Sequence, residues 1–287
     1  MQYYRIFSSI ADLYSPCGGL ETQLLFGESV LSGGSGRFYA YSQIVRDQYF
    51  WRPYPGTLAL EQLVPCVVHS DCTPNAAVIS FSALLEPWKL PLPFGTLLSL
   101  SPNNQLSLPS EMVKYLSQTF GPGIPTCNPR DIRHLKENFS SSCLLEDAER
   151  CLDFPYLWGG RSLHKGLHNF GIDCSGFVNL LYQSQGWNIP RNARDQYLDC
   201  IFVDSFEELP IGGLVFLHEK ETSKISHVML KKDSHGLIHA SESIGKVHIS
   251  ILGRDCELSK GNFYTGVSTE EKKIASFGIP KKRKAFL

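Results

Sequence analysis

The hydrophobic pattern is clearest in the second half of the chain. Phe177, Val178, Leu180, Leu181 and Tyr182 fall on one face at helical spacing. The helix they predict opens where a glycine-rich stretch (Gly159, Gly160, Gly166, Gly171) runs into Asp173-Cys174-Ser175-Gly176. Asp173 suits the N-cap, Cys174 becomes a first-turn residue, and Gly186 ends the helix. Downstream, Ile225-Ser226-His227-Val228-Met229-Leu230 alternates with a period of two and reads as a strand, and Gly236-Leu237-Ile238-His239-Ala240 as the next. A short loop at 232–234 sets Lys231 opposite His235 and His227 opposite His239, with both rings on one face of the hairpin. Flanking strands are expected at 214–217 and 246–251, and a short helix at 191–197 that reads as a surface helix with one Arg–Asp pair.

The first half is patterned differently. Gln23 to Phe26, Arg37 to Tyr41 and Thr57 to Leu60 are β-like pieces punctuated by Gly27, by Gly33-Gly34-Ser35-Gly36 and by Pro53-Tyr54-Pro55-Gly56, which suggests a small barrel. Short strands expected next at Cys66 to His69, Ala76 to Ser80 and Thr96 to Leu100, with Pro87, Pro91 and Pro93 between them, suggest a second, divergent SH3-like barrel. Phe120-Gly121-Pro122-Gly123-Ile124-Pro125 reads as a linker. After it come a charged, helix-compatible segment at 129–138 and a Ser-capped amphipathic helix carrying Leu144, Leu145, Ala148, Cys151 and Leu152. The expectation is an α+β chain divided at 1–65, 66–125 and 126–287.

Composition narrows this picture. A chain of 287 residues with 43% hydrophobic and 19% charged residues can bury two or three cores. A net charge of −1 gives no reason to expect nucleic acid as a partner, and the basic tail from Pro280 to Lys284 reads as solvated. Residues 1–11 hold one basic residue and no apolar run of leader length, and nothing approaches a membrane span. Nine irregularly spaced cysteines suit reduced thiols, so a cytoplasmic setting is expected.

The chemistry gathers at Cys174. A thiol in a helix's first turn feels the positive end of the dipole, which favours thiolate, and the free amides of Cys174 and Ser175 can face a developing oxyanion. His227 is then the proton acceptor and His239 the group that orients it. A metal site is the weaker reading. His164 and His168 are four apart but lie in a glycine-containing loop, and neither paired-cysteine spacing nor a His-Glu-x-x-His helix occurs, so neither metal nor cofactor is expected.

The ordered series "FPYLWGGRS", "GIDCSGFVNLLY", "IPRNARDQY", "GGLVFLHEK", "ISHVML" and "LIHASESIGKVHIS", from about 147 to 252, resembles the NlpC-type (P60) papain-like cysteine peptidases of bacterial cell-wall metabolism. The resemblance implies a papain-like domain with Cys174 as nucleophile, His227 as general base and His239 as the orienting residue. It also implies Tyr156 and Trp158 at the cleft rim, and Arg191, Asp195 and Gln196 in support. "ETQLLFGESV" with "RPYPGTLAL" resembles the bacterial SH3-like barrel that often precedes such a domain. In cytosolic muropeptide-recycling members that barrel covers the cleft. There the resemblance places Glu21 and Tyr54, with Asp173 and Ser175, on the substrate's free amine. It implies cleavage of a small muropeptide between γ-D-glutamate and a diamino acid. A non-catalytic wall-fragment or partner-binding protein, and a related amidase or acyltransferase, are the alternatives. Two departures stand out: a longer segment from Trp158 to Cys174, and Gly212-Gly213 where the family has Gly-Asp.

Overall fold

A computed structural model describes residues 2–66, 73–103, 105–259, 262–265 and 272–282. The chain begins with a curled antiparallel sheet of seven strands in the spatial order Leu20–Leu25, Ile10–Tyr14, Trp51–Thr57, Arg37–Arg46, Ser29–Gly34, Tyr3–Ile6, Leu63–Cys66. Alternation explains its inner face: Ala11, Leu13, Leu24, Val30, Phe38 and Ala40 are buried and form its core. Its longest strand breaks register between Ala40 and Ile44 where it pairs with Trp51–Thr57, and the bulge bends the sheet into a half-barrel. The expected strand at 57–60 lies earlier, at Trp51–Thr57, and the chain then makes a short 3-10 turn at Leu60–Gln62.

Among the described residues the next segment does not close into the expected second barrel and is built from shorter pieces. Ala76–Val78 pairs with Leu97–Leu98 on one side and with Ile132–His134 on the other, and Leu84–Leu85 pairs with Leu90–Pro91. The pairing of Ile132–His134 carries this body past the linker at 120–125, and the segment read as helix-compatible at 129–138 is a 3-10 turn followed by that strand. Ser110–Phe120 is an α-helix that the strand reading passed over; Met112 and Leu116 bury one stripe of it, and Gly121 ends it with φ +96°. The strand expected at Cys66 to His69 is described only at Cys66, where Leu63–Cys66 ends; the rest lies outside the described residues.

The last and largest body is a sheet of eight antiparallel strands with helices packed on it. Along the sheet run Lys246–Ile251, Gly236–Ser241, Ile225–Lys231, Leu214–His218, Lys272–Pro280, Asn262–Thr265 and Cys256–Ser259, with Cys200–Val203 also paired to Lys272–Pro280. Ser141–Arg150, Cys174–Gln183 and Ala193–Leu198 are its helices. Ser140 caps the first by accepting from the Cys143 amide at 3.3 Å, as its sequence implies. The basic tail is described only as far as Lys282. No helix among the described residues is long and apolar enough to cross a membrane.

The hairpin that carries the two histidines differs in one respect from its expected register. Leu230 pairs with Ile238 and Lys231 with Leu237, not with His235. The cause is Asp233, whose carboxylate accepts from the His235 and Gly236 amides at 2.8 and 2.6 Å and builds a longer turn. The slip is two residues, an even number, so both imidazoles stay on one face.

Candidate active site

The helix Cys174–Gln183 buries every residue from Ser175 to Gln183 and packs under the strands Ile225–Lys231 and Gly236–Ser241. Phe177, Val178, Leu180 and Leu181 are fully buried, at about 1.5–3 kcal/mol each for the apolar side chain. Such packing holds the first turn in place. Asp173 caps it by accepting from the Gly176 amide at 2.6 Å. A Cβ at Gly176 would come within 2.5 Å of the Gly160 carbonyl oxygen, so only glycine allows the turn to sit this close to the preceding loop.

Cys174 is half-buried, and its thiol lies near enough to the backbone amides of Val228, the residue after His227, and of Ser175 for both to favour the thiolate. His227 Nε2 lies 2.8 Å from His239 Nδ1, with the rings edge to face. The nitrogen of His227 left to take a proton is therefore Nδ1. His239 in turn places Nε2 3.0 Å from Ser250 Oγ and packs against His248 with ring centroids 4.4 Å apart. The two histidines expected to meet do meet, and the sulfur sits against the strand that carries the first of them.

Electrostatics reverse the expectation of a resting thiolate. Burial pushes the Cys174 thiol up to about 12, and Asp173 adds to the rise; the Val228 and Ser175 amides and Arg191 pull the other way without cancelling it. Burial pushes His227 down to about 4, helped by Lys273 and His248 and opposed by Asp173. His239 is held well below the ordinary histidine value by burial, then by His227 and His248. Burial thus favours the uncharged form of both groups, thiol and neutral imidazole, against the pull of the helix dipole.

The surroundings of Asp173 were not read from the sequence. Arg191 is 1% exposed and does not pair with Asp195. Its Nη1 and Nη2 donate to Asp173 Oδ1 and Oδ2 at 3.0 and 2.7 Å, its Nη1 to Ser175 Oγ at 2.9 Å, and its Nε to Thr22 Oγ1 of the N-terminal sheet at 2.7 Å. The helix that was expected at the surface also buries Asp195 and Gln196, and Gln196 Nε2 donates to the Ser175 carbonyl at 2.9 Å. Glu21 and Tyr54 stand together across the junction: Tyr54 OH donates to Glu21 Oε2 at 2.8 Å and lies 3.3 Å from Asn192 Oδ1. Burial, with Glu21 beside it, raises the Tyr54 phenol above its ordinary value.

Tyr156 is half-buried, packs against the helix core beside Cys174, and has its phenol raised by burial and by its nearness to Cys174 and Asp173. Trp158 is 68% exposed. His164 is a structural histidine: Nδ1 accepts from the Gly166 amide at 2.9 Å and Nε2 donates to the Ala83 carbonyl at 3.0 Å. His168 belongs elsewhere, to the wall of a cleft of about 260 Å³ where the longer loop, through Asn169 and Phe170, faces Asp12, Leu20 and Gln23. No group of three or more potential metal ligands occurs among the described residues.

Residues 153–258 match the NlpC/P60 family. Two γ-D-glutamyl-L-lysine dipeptidyl-peptidases are similar to this chain: that of Bacillus cereus is 33% identical over 37% of this chain and 30% of its own length, and that of Bacillus subtilis 33% identical over 35% and 32%. The chain thus aligns with about a third of either relative. The peptidoglycan endopeptidase RipB of Mycobacterium tuberculosis is 35% identical over 33% of this chain and 41% of its own. The crystal structure of an NlpC/P60 family protein from Bacillus cereus superposes with a TM-score of 0.70 at 19% identity, over 99% of this chain and 100% of the other, so the fold is shared from end to end.

Proposed function

Because residues 153–258 are an NlpC/P60 domain, we propose that this chain is a cysteine endopeptidase of peptidoglycan-derived peptides, cutting between γ-D-glutamate and the diamino acid that follows. One observation carries the reading: a cysteine in the first turn of the helix packed against strand Ile225–Lys231, beside the His227–His239 contact of 2.8 Å. In this reading Cys174 is the nucleophile. Its proton passes to His227 Nδ1 as the C–S bond forms, and the imidazolium then gives that proton to the leaving amine. Water attacks the thioester with His227 again as base. A neutral resting pair suits this order, since charge develops only when substrate arrives.

The Cys174 amide, free at the helix start, and the Tyr156 phenol, kept protonated by its raised pKa, face the oxyanion. Trp158 walls the exposed side of the cleft. Glu21, Tyr54, Asp173 and Ser175 take the free N-terminal amine of the substrate, so the N-terminal sheet restricts the enzyme to short, unblocked muropeptides. A place in cytoplasmic muropeptide recycling belongs to the same proposal, supported by eight described cysteines that are all unpaired.

The test is product analysis. Mass spectrometry of L-Ala-γ-D-Glu-diamino acid peptides incubated with the protein should show release of L-Ala-γ-D-Glu, and Cys174→Ala should abolish it. Turnover that survives Cys174→Ala defeats the proposal.

A further inference from the structure

The contacts beyond His239 extend the line by one more residue. Ser250 sits on strand Lys246–Ile251 two positions from His248, and strand alternation puts both side chains on the face that carries His239. His239 lies between them: the tilted ring of His248 packs on one side and the Ser250 hydroxyl is 3.0 Å from Nε2. Ser250 is 7% exposed, so bulk water does not compete for this contact.

The direction of that contact is tied to the tautomer of the pair. A neutral imidazole has one N–H and one acceptor nitrogen. If Ser250 accepts from His239 Nε2–H, then His239 Nδ1 is an acceptor, His227 Nε2–H donates to it, and His227 Nδ1 is left bare. If the hydroxyl instead donates to Nε2, every role along the line is reversed and His227 Nδ1 already carries a proton. Only the first arrangement can take a proton from a thiol. We propose that Ser250 is a positioning residue that acts through His239 to hold His227 in the base-competent tautomer. This inference rests on the peptidase reading above, and it goes beyond the nucleophile, base and orienting residue.

The charged and titratable groups around the line are His248 on Ser250's own strand, Cys174 and Asp173 on the packed helix, and Lys273 on strand Lys272–Pro280. None of them is a hydroxyl that can substitute at His239 Nε2. Without Ser250 the imidazolium form of His227 loses support passed through His239, and the acidic limb of activity moves to lower pH.

The experiment compares the full-length protein with Ser250→Ala and Ser250→Thr on L-Ala-γ-D-Glu-diamino acid peptide, and confirms folding by thermal melting. Loss of one net hydrogen bond predicts a fall in kcat of about three- to tenfold for Ser250→Ala. KM should stay within about twofold, the acidic limb should shift down, and Ser250→Thr should restore most of the rate. Independently of any activity, ¹⁵N spectra of histidine-labelled protein should show His227 Nδ1 as a bare acceptor nitrogen in the parent and as a mixture in Ser250→Ala. A parent-like tautomer and pH profile in Ser250→Ala, or an equal loss in Ser250→Thr, overturns the inference. Loss of the peptidase reading would show separately, as Cys174→Ala retaining activity.

Discussion

Asp173 is the most heavily used side chain near Cys174, and its replacement gives the sharpest test of how the first turn is held. Its carboxylate accepts from the Gly176 and Gly159 amides at 2.6 and 3.1 Å, from Ser175 Oγ at 3.1 Å, and from both terminal nitrogens of Arg191 at 3.0 and 2.7 Å. Asp173→Ala removes a helix cap, at about 1 kcal/mol. It also leaves a guanidinium that is 1% exposed without its counter-charge. Breaking such a pair from one side costs about 3–5 kcal/mol. Arg191 keeps Thr22 Oγ1, Ser175 Oγ and the Gly160 carbonyl as acceptors, so the lower end of that range applies. The sum is about 4 kcal/mol, a large part of the 5–15 kcal/mol of a typical fold. For a chain of this size it should lower Tm by about 8–16 °C. Asp173→Asn keeps an acceptor for the Gly176 amide and should lose about half as much. Chemical denaturation followed by tryptophan fluorescence, together with calorimetry, measures both variants. In a cycle with Arg191→Gln the two single losses should not add, because each already removes the pair. If Asp173→Ala loses under 1 kcal/mol, or the two changes prove additive, the pair does not hold the nucleophile's turn.

Three further outcomes follow from the same geometry. Stability should fall as pH drops from about 6.5 to about 4: unfolded His227 takes up a proton near 6.5 while the folded ring resists until about 4, so the unfolded state binds more protons in that window. The loss is on the order of 2 kcal/mol after allowance for its partial exposure, and melts of His227→Gln between pH 4 and 7 should show a flatter profile. Alkylation of Cys174 by iodoacetamide in the free protein should rise about tenfold per pH unit through pH 8 with no plateau near pH 6, since burial holds the thiol near 12; a plateau there would reveal a thiolate–imidazolium pair instead. Tyr54→Phe removes the hydroxyl that binds Glu21 and should raise KM several-fold for peptides with a free N-terminus and narrow the preference for them over N-acetylated ones, read from initial rates on the two substrates. An unchanged KM and preference would refute it.

The nucleophile's helix was legible because its signals are local: a capping aspartate, a buried face at helical spacing and a glycine beyond its end. The hairpin was legible in its face but not in its register, since alternation fixes parity whereas the pairing offset depends on how Asp233 folds the turn. Helix Ser110–Phe120 carried a signal that was passed over. Met112 and Leu116 are four apart between Pro109 and Gly121, but the prolines upstream drew the whole segment into a reading as strands. Strand Lys272–Pro280 carried almost none. It runs through the middle of the sheet yet contains Gly278 and ends on Pro280, and Gly278 is there because a Cβ would lie 2.8 Å from Cys200 Cβ. Arg191 illustrates the limit of local reading. Its sequence neighbour Asp195 looked like its partner, while the carboxylate it binds lies eighteen residues upstream and becomes a neighbour only once the chain has folded.

That arginine belongs to a path of hydrogen bonds that ties the N-terminal sheet to the helix Cys174–Gln183. From Asp173 the hydrogen bonds run through Arg191 to Thr22, from Thr22 Oγ1 to Gln43 Oε1 at 2.7 Å, and from Gln43 Nε2 to Glu28 Oε2 at 3.4 Å. Glu28 Oε1 then accepts from Arg161 Nη1 at 2.8 Å, and Arg161 returns to the nucleophile's helix by donating from Nε to Asn179 Oδ1 and from Nη2 to Gln183 Oε1, both at 2.7 Å. Two nearly inaccessible guanidinium groups thus clamp one sheet to both ends of one helix. A buried cation is tolerable only while its acceptors stay in place, so movement of the sheet away from the helix strips Arg161 of its Glu28 counter-charge and Arg191 of its Thr22 acceptor, while Arg191 keeps Asp173. Thr22 adjoins Glu21, and Tyr54 bridges Glu21 to Asn192, the residue after Arg191. The clamp therefore also fixes the distance between these groups and Cys174. The proposed measurement of a short peptide from its free amine to its scissile bond requires that distance to be rigid, and the charge pair that supplies the rigidity is Arg161 with Glu28, one partner from each body.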